Sequence, residues 1–297
     1  MTTLLDVLRR TEAWLRSRGV PSPRLDTEVL LGHVLGVPRL QLYLMYDRPL
    51  TEPELDALRP LVRRRGAREP LAWITGEKGF HHLDLQVVPG VLVPRPDTET
   101  LVEAAGAWID EGHTDDVPVY VADVGAGTGA VGLALAAPRP WLRLYAVDLS
   151  DEALACTRAN VATLGLADRV GVLKGSLLDP VPAARPVDWV VSNPPYIPSG
   201  EIDGLEPEVA VHEPRLALDG GADGLDVIRP LVAQARRRAR RGLLLEVGHD
   251  QAEVVAALLA RAGFTDVRTW DDLGGHRRVV GGRQPGPAGA SALSTSP

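Results

Sequence analysis

The stretch Val119-Tyr120-Val121-Ala122-Asp123-Val124-Gly125-Ala126-Gly127-Thr128-Gly129-Ala130-Val131-Gly132 decides the fold of this chain. An apolar run, Val119 to Val124, leads into three glycines set one residue apart, and a helix is expected from near Thr128 through Ala136. Glycine permits a tight turn there and lets backbone N–H groups approach a ligand closely. The helix start adds partial positive charge, which favours a carboxylate or a phosphate. The next apolar run, Leu142 to Val147, ends in Asp148, whose carboxylate can hydrogen-bond the two hydroxyls of a ribose. Ser150 reads as the N-cap of a helix from Asp151 to about Leu164. By itself the loop is ambiguous. Gly125, Gly127 and Ala130 also satisfy the dinucleotide pattern, with an acid roughly 20 residues further on, so nicotinamide and S-adenosylmethionine fit equally well.

A second loop breaks the tie. Val187-Asp188-Trp189-Val190-Val191-Ser192 reads as a buried strand, and Asn193-Pro194-Pro195-Tyr196 follows it directly. Two prolines stop the ladder, fix φ and remove two N–H donors. The loop therefore presents carbonyl oxygens, one carboxamide and one aromatic ring. Such a set can grip a planar NH2 group: the Asn193 side-chain oxygen and the Pro194 carbonyl accept its two hydrogens, and Tyr196 lies against its flat face. A dehydrogenase has no evident use for that arrangement, whereas an N-methyltransferase needs it.

From Val119 onward, apolar runs alternate with helical patterns: 119–124, 142–147, 170–173, 187–191, 242–247, 265–270 and 276–281. That order predicts a doubly wound, mostly parallel α/β sheet with seven strands. Ligands in such sheets bind beyond the carboxyl ends of strands, where strand order reverses. Residues 1–70 read as a small helical domain. A β-hairpin linker is expected over 71–93, the main domain over 94–281, and a disordered Gly/Pro/Ser-rich tail over 282–297. His81 and His82 are adjacent, so on a strand they would point to opposite faces, and no metal site is expected.

The chain has 297 residues, 45% of them apolar, with a net charge of −7. Those values suit a soluble globular protein. No apolar run is long enough to cross a membrane, and Met1 to Trp14 carries charges through its apolar pattern, unlike a signal peptide. The single cysteine, Cys156, excludes an internal disulfide. A cytoplasmic setting is expected. Only Lys78 and Lys174 are lysines, so arginine clusters reflect composition and are discounted as nucleic-acid signals. The run Arg236 to Arg241 suits the end of a helix. Arg63, Arg64, Arg65 and Arg68 look exposed, and a docking surface for a protein partner and a merely solvated helix face fit them equally well.

Taken together the chain resembles the peptide chain release factor glutamine N5-methyltransferases (PrmC/HemK). The resemblance spans nearly all of residues 1–281. It rests on Gly76-Glu77-Lys78-Gly79-Phe80, Pro94-Arg95-Pro96-Asp97-Thr98-Glu99, the glycine loop with Asp148, and the Asn-Pro-Pro-Tyr loop. It continues through Glu213-Pro214-Arg215, Gly221-Ala222-Asp223-Gly224-Leu225-Asp226, and Leu245-Glu246-Val247-Gly248 with Gln251. It implies a five-helix N-terminal domain and a seven-stranded domain that binds S-adenosylmethionine and releases S-adenosylhomocysteine. The implied substrate is the glutamine of the Gly-Gly-Gln loop in class I release factors, with no stable nucleic-acid partner and no membrane. Cofactor contacts are expected from Gly125, Ala126, Gly127, Thr128, Gly129, Asp148, Ser176, Leu177 and Asn193, and substrate contacts from Asn193, Pro194, Pro195 and Tyr196. Asn193, Pro194 and Tyr196 carry the chemistry. Near the adenine this chain has Ser176 and Leu177, where an acid followed by an aromatic residue is more usual, and His276 precedes Arg277 where an acid is more usual. The alternative is an amino-methyltransferase acting on adenine or guanine. It would use the same loop but would also call for a target-recognition domain or a basic groove.

Overall fold

Paired capping bonds open two of the N-terminal helices. Thr3 Oγ1 accepts from the Asp6 N–H while the Asp6 carboxylate accepts from the Thr3 N–H, starting α1 (Leu4–Ser17). Thr51 and Glu54 repeat the device at α4 (Glu52–Gly66). Between them lie α2 (Pro23–Leu35), with proline in its first turn, and the short α3 (Arg39–Leu42); α5 (Leu71–Thr75) follows α4. Their apolar faces close a small core around Leu4, Leu8, Leu30, Leu42, Leu58 and Ile74. The computed structural model describes residues 2–111, 113–114 and 117–285. It divides into two compact units that do not follow chain order. One comprises Met1–Lys78, Val87–Pro89 and Asp203–Glu213; the other comprises Gly79–Gln86, Gly90–Ile202 and Pro214–Pro297.

Within the first unit the arginines expected to be free are mostly committed. Arg65 is buried and bonds Asp26 Oδ2 at 2.6 Å and Glu208 Oε1 at 2.7 Å. Arg68 bonds the Glu208 carboxylate and, at 2.9 Å, Glu206. Arg64 pairs with Glu69. Only Arg63 of the four is exposed. The docking surface expected from these residues is therefore corrected to an internal ion-pair cluster. Two of its acids stand about 140 residues away in sequence, on a segment that local pattern assigns to the other domain.

The expected hairpin linker is shorter than 71–93. Residues 71–75 are helical, and the two strands are β1 (Glu77–Phe80) and β2 (Leu83–Gln86). His81 and His82 form the turn between them, with His81 at φ 53°. Their rings accordingly meet, Nδ1 to Nδ1 2.6 Å, and do not point to opposite faces.

The second unit continues with α6 (Glu99–Glu111), β3 (Val119–Val124), α7 (Ala130–Ala136), β4 (Leu142–Asp148), α8 (Asp151–Thr163), β5 (Val170–Lys174) and β6 (Trp189–Ser192). Then come α9 (Ile228–Arg238), β7 (Gly242–Glu246), α10 (Ala252–Ala262), β8 (Thr265–Asp271) and β9 (Arg277–Arg283). The sheet order is β5-β4-β3-β6-β7-β9-β8. β3 to β7 are parallel, and β9 runs antiparallel to both β7 and β8. Val121, Leu144, Val191 and Leu244 pack on one face with α6 and α7, while Ala122, Val190, Leu243 and Val280 pack on the other with α9 and α10. Both faces are covered, which is why these strands read as continuous apolar runs without alternation. The last strand extends to Arg283, two residues past the expected domain end at 281. The rest of the tail expected at 282–297 lies, from residue 286 on, outside the described residues. Arg236, Arg237 and Arg238 do fall in the last turn of α9, and Arg238 donates to the Leu178 and Val181 carbonyls.

Arg65→Ala leaves the buried Asp26 without its cation, so it should lower unfolding free energy by about 3–5 kcal/mol. Arg63→Ala, on the exposed side of the same helix, should change it by less than about 0.5 kcal/mol. Urea titrations of the two variants check this, and equal effects would remove Arg65 from its structural role.

Candidate active site at the carboxyl ends of β3 and β6

β3 and β6 are neighbours, with Val121 beside Trp189 and Asp123 beside Val191. β4 and β5 extend the sheet to one side of β3, and β7 extends it to the other side of β6, so strand order reverses between these two strands. Their following loops are therefore side by side. A Cβ placed on Gly125 would lie 3.8 Å from the Asn193 carbonyl oxygen. Ser192 Oγ donates to the Val124 carbonyl at 2.6 Å and ties the two strand ends together.

The glycine loop is braced on β4. The Gly125 and Ala126 N–H groups both donate to the Val147 carbonyl, and the Gly127 N–H donates to Asp148 Oδ2 at 2.8 Å. These groups are thus committed internally, and the opening expected to bind through its amides offers mainly an uncrowded backbone. Gly127 sits at φ 59°, and a Cβ there would meet nothing within 4 Å. Asp148 Oδ1 accepts from the Ser150 N–H at 2.9 Å, so the carboxylate is fixed at both oxygens while each keeps a further acceptor position. Thr128, Gly129 and Ala130 are buried, and α7 begins at Ala130, two residues after the expected start, with Gly129 at φ 84° as its N-cap. Ser150 caps α8 as expected, accepting from the Ala153 N–H.

Beneath this loop is an acid whose role sequence reading missed. Asp123 is 1% exposed and accepts from the Gly132 N–H at 2.8 Å. Burial pushes its carboxyl up to about 7; the Gly132 bond lowers it somewhat, and the Asp148 charge raises it. The available signal was a carboxylate inside an otherwise apolar strand.

Across the crevice, the Asn-Pro-Pro-Tyr loop is held from behind by three segments. Asn193 Nδ2 donates to Thr98 Oγ1 at 3.1 Å, just before α6. The Tyr196 hydroxyl donates to Glu246 Oε1 at 3.2 Å, at the end of β7. The Tyr196 carbonyl accepts from Gln251 Nε2 at 2.8 Å, and Gln251 Oε1 accepts from the Gly248 N–H. Gly224, at φ 75°, packs so closely that a Cβ would stand 2.2 Å from the Tyr196 carbonyl oxygen. Any side chain there would displace the loop. Burial raises the Tyr196 phenol well above its ordinary value, and the Glu246 charge adds to that. Glu246 itself is raised to about 7 by burial, against the lowering effects of Thr98, Tyr196 and Arg278. Thr98, Glu246 and Gln251 stood in the quoted motifs with no role assigned, and only the folded arrangement brings them to one loop.

Ser176 and Leu177 follow β5, next to Asp148: the Gly175 N–H donates to the Asp148 carbonyl at 3.0 Å. Ser176 is exposed and Leu177 half-buried. Leu177 adopts φ 51°, costly for a bulky side chain; the next residue, buried Leu178, is pinned by its N–H bond to Gln234 Oε1 at 2.9 Å.

A model of the PrmC N-terminal domain matches residues 6–76, and one of the methyltransferase small domain matches residues 113–210. The release factor glutamine methyltransferase of Geobacter sulfurreducens is 43% identical over 95% of this chain and 96% of its own length. That of Caulobacter vibrioides is 40% identical over 94% and 95%. The chain belongs to the release factor glutamine methyltransferase family. Among solved structures, the crystal structure of the hMettl16 catalytic domain in complex with MAT2A 3′UTR hairpin 6 matches with a TM-score of 0.53 at 18% identity. It covers 67% of this chain and 75% of that one, and it shows the shared fold alone. Membership in the methyltransferase family agrees with the sequence resemblance and with the doubly wound seven-stranded sheet. Among the described residues no helix is long and apolar enough to cross a membrane.

The raised Asp123 pKa has a sign. The neutral carboxyl is the form the fold favours, so its contribution is full below the unfolded value near 4 and is lost as pH rises to about 7. In the ligand-free protein, Asp123→Asn should remove a fall in unfolding free energy of up to about 4 kcal/mol between pH 4 and 8. Urea titrations across that range check it, and parallel curves for the two proteins would sink the assignment.

Proposed function

We propose that this chain transfers the methyl group of S-adenosylmethionine to the side-chain amide nitrogen (N5) of the glutamine in the Gly-Gly-Gln motif of class I peptide chain release factors. The reaction leaves S-adenosylhomocysteine and takes place in the cytoplasm. The observation that carries the reading is the meeting of a braced glycine loop with an acceptor-rich Asn-Pro-Pro-Tyr loop at the strand-order reversal. The residues present fit the cofactor. Asp148 offers two fixed oxygens to a ribose diol, Gly125 and Gly127 leave the backbone open, and Ser176 with Leu177 borders the same edge. The Asp148 carboxylate places negative charge at the crevice, which suits a cation.

Bound S-adenosylmethionine supplies a methyl already activated by its sulfonium. A carboxamide nitrogen is a poor nucleophile, because its lone pair is delocalised into the carbonyl. The protein's task is therefore positioning and exclusion of water more than base catalysis. Asn193 Oδ1 and the Pro194 carbonyl accept the two amide hydrogens and favour a pyramidal nitrogen whose lone pair points at the methyl. Pro195 keeps the loop rigid and Tyr196 packs on the amide plane. Positive charge develops on the nitrogen as the new bond forms, and preorganised acceptors stabilise it. The glutamine nitrogen gains the methyl and releases one proton to solvent.

The direct experiment supplies methyl-labelled cofactor with intact release factor, with the same factor lacking its Gly-Gly-Gln glutamine, and with RNA or DNA. Label is expected only in the first; label in nucleic acid would overturn the reading. Asn193→Ala should reduce kcat on the order of 10²–10³-fold with cofactor affinity nearly intact. A near-normal kcat at saturating cofactor would remove Asn193 from the reaction. Asp148→Ala should weaken cofactor binding by roughly 1.5–3 kcal/mol in calorimetric titration; unchanged affinity would leave Asp148 only its bonds to Gly127 and Ser150.

A further inference from the structure

Behind the glycine loop, α8 carries two buried polar side chains that belong to none of the quoted motifs. Ser150 caps α8, and that register sets Thr157 and Asn160, three residues apart and so on one face, against the loop. Thr157 is fully buried and Asn160 is 1% exposed. Thr157 Oγ1 donates to the Gly127 carbonyl at 2.8 Å, and Asn160 Nδ2 donates to the Thr128 carbonyl at 2.9 Å. The other contacts of Asn160 fix its orientation. Its Oδ1 accepts from the Gln86 N–H at 2.7 Å, and Nδ2 also donates to the Gln86 carbonyl at 3.0 Å. A turned carboxamide would set its NH2 against that N–H and its oxygen against two carbonyl oxygens. One side chain thus pairs with the last residue of β2 as a strand would, and it reaches the glycine loop as well.

These bonds matter because the loop cannot hold itself. Gly125, Gly127 and Gly129 all sit at positive φ, and glycine moves between such states at little cost. Gly127 is held on both sides: its N–H donates to Asp148 Oδ2, and its carbonyl accepts from Thr157. A trans peptide sets C=O and N–H in opposite directions, so drawing the Gly127 carbonyl to α8 turns the Thr128 N–H away from α8. The Gly125 and Ala126 amides go to Val147, that of Gly127 goes to Asp148, and that of Gly129 goes to the Ala126 carbonyl at 2.7 Å. Among the described residues the Thr128 N–H has no acceptor. A buried N–H in that state is rare, and it is a donor still on offer to a ligand.

We propose that Thr157 and Asn160 are positioning residues for cofactor binding: they hold the carbonyl side of the glycine loop, so that the Thr128 N–H and the Asp148 carboxylate meet the cofactor in one arrangement, and Asn160 couples that arrangement to the hairpin. This deepens the function proposed above and rests on the glycine loop receiving S-adenosylmethionine.

The test titrates S-adenosylhomocysteine calorimetrically into the unaltered protein, Thr157→Val, Thr157→Ser and Asn160→Ala. Thr157→Val keeps the side-chain volume and removes the hydroxyl. It should raise Kd about 10-fold, since a released loop is competent to bind only part of the time. Thr157→Ser keeps the hydroxyl and loses the methyl, so its Kd should stay within about threefold of the unaltered value. Asn160→Ala, which frees Thr128 and Gln86 together, should raise Kd at least as much as Thr157→Val. In both, the loss should fall on Kd and on KM for cofactor, with kcat at saturation moving less than about threefold, because a filled loop is already ordered. Hydrogen exchange separates the two residues: the Gln86 amide should exchange faster in Asn160→Ala and at the unaltered rate in Thr157→Val. If Asn160→Ala does not fold, Thr157→Val against Thr157→Ser decides. Unchanged Kd in Thr157→Val, equal losses in Thr157→Val and Thr157→Ser, or a fall in kcat alone would overturn the proposal and leave the function standing. Unchanged Gln86 exchange in Asn160→Ala would remove the coupling to the hairpin. If the unaltered protein binds no S-adenosylhomocysteine, the cofactor reading falls and this inference with it.

Discussion

Parallel pairing of β3 with β6 is the constraint on which the rest of the site depends. Register between them brings the ends of both strands level, and the chain leaves each strand in the same direction. Because β4 and β5 lie beyond β3, and β7 beyond β6, the connecting helices diverge and leave the strand ends uncovered. Every proposed contact is then a local consequence. The glycine loop is braced on β4 through Val147 and Asp148, and the proline loop is braced on β7 and α6 through Glu246 and Thr98.

Two buried acids mark the places where stability is sacrificed to that arrangement. Asp123 and Glu246 are each about 1% exposed, and both carboxyls are pushed up to about 7 by burial. An apolar residue in either place would cost the fold less. Each instead orders a polar neighbour: Asp123 takes the Gly132 N–H at the start of α7, and Glu246 takes the Tyr196 hydroxyl. Strongly shifted groups of this kind cluster at functional crevices, and here both flank the same one.

The helical unit obeys different physics. Its helices are short and its core small, and a buried arginine with two carboxylate partners links α2, α4 and the segment Asp203–Glu213. Such a cluster is costly to assemble and more costly to break, since each member is desolvated whether or not its partners remain. It fixes where a segment following the proline loop is anchored, a role quite unlike the solvated partner-docking face that the local arginine pattern implied.

Much of the protein was legible in its amino-acid order, for reasons of range. Strand and helix alternation, the glycine turn, the Ser150 cap and the Asn-Pro-Pro-Tyr loop are written in contiguous residues, where backbone geometry and hydrophobic periodicity act over a few positions. The acceptors that Asn193 and Pro194 offer, and the ring that Tyr196 offers, follow from residue type alone. Contacts between distant residues were not legible in this way. That Arg65 is buried depends on Glu208, that Tyr196 is clamped depends on Gln251 and Gly224, and that the Asn193 carboxamide is held from behind depends on Thr98. The hairpin histidines meet because the turn, set by the pairing of β1 with β2, puts His81 at positive φ. Sequence by itself determined the elements and the chemical groups on offer; tertiary structure decided which buried polar group each would satisfy, because a desolvated donor or acceptor must find a partner wherever in the chain it lies.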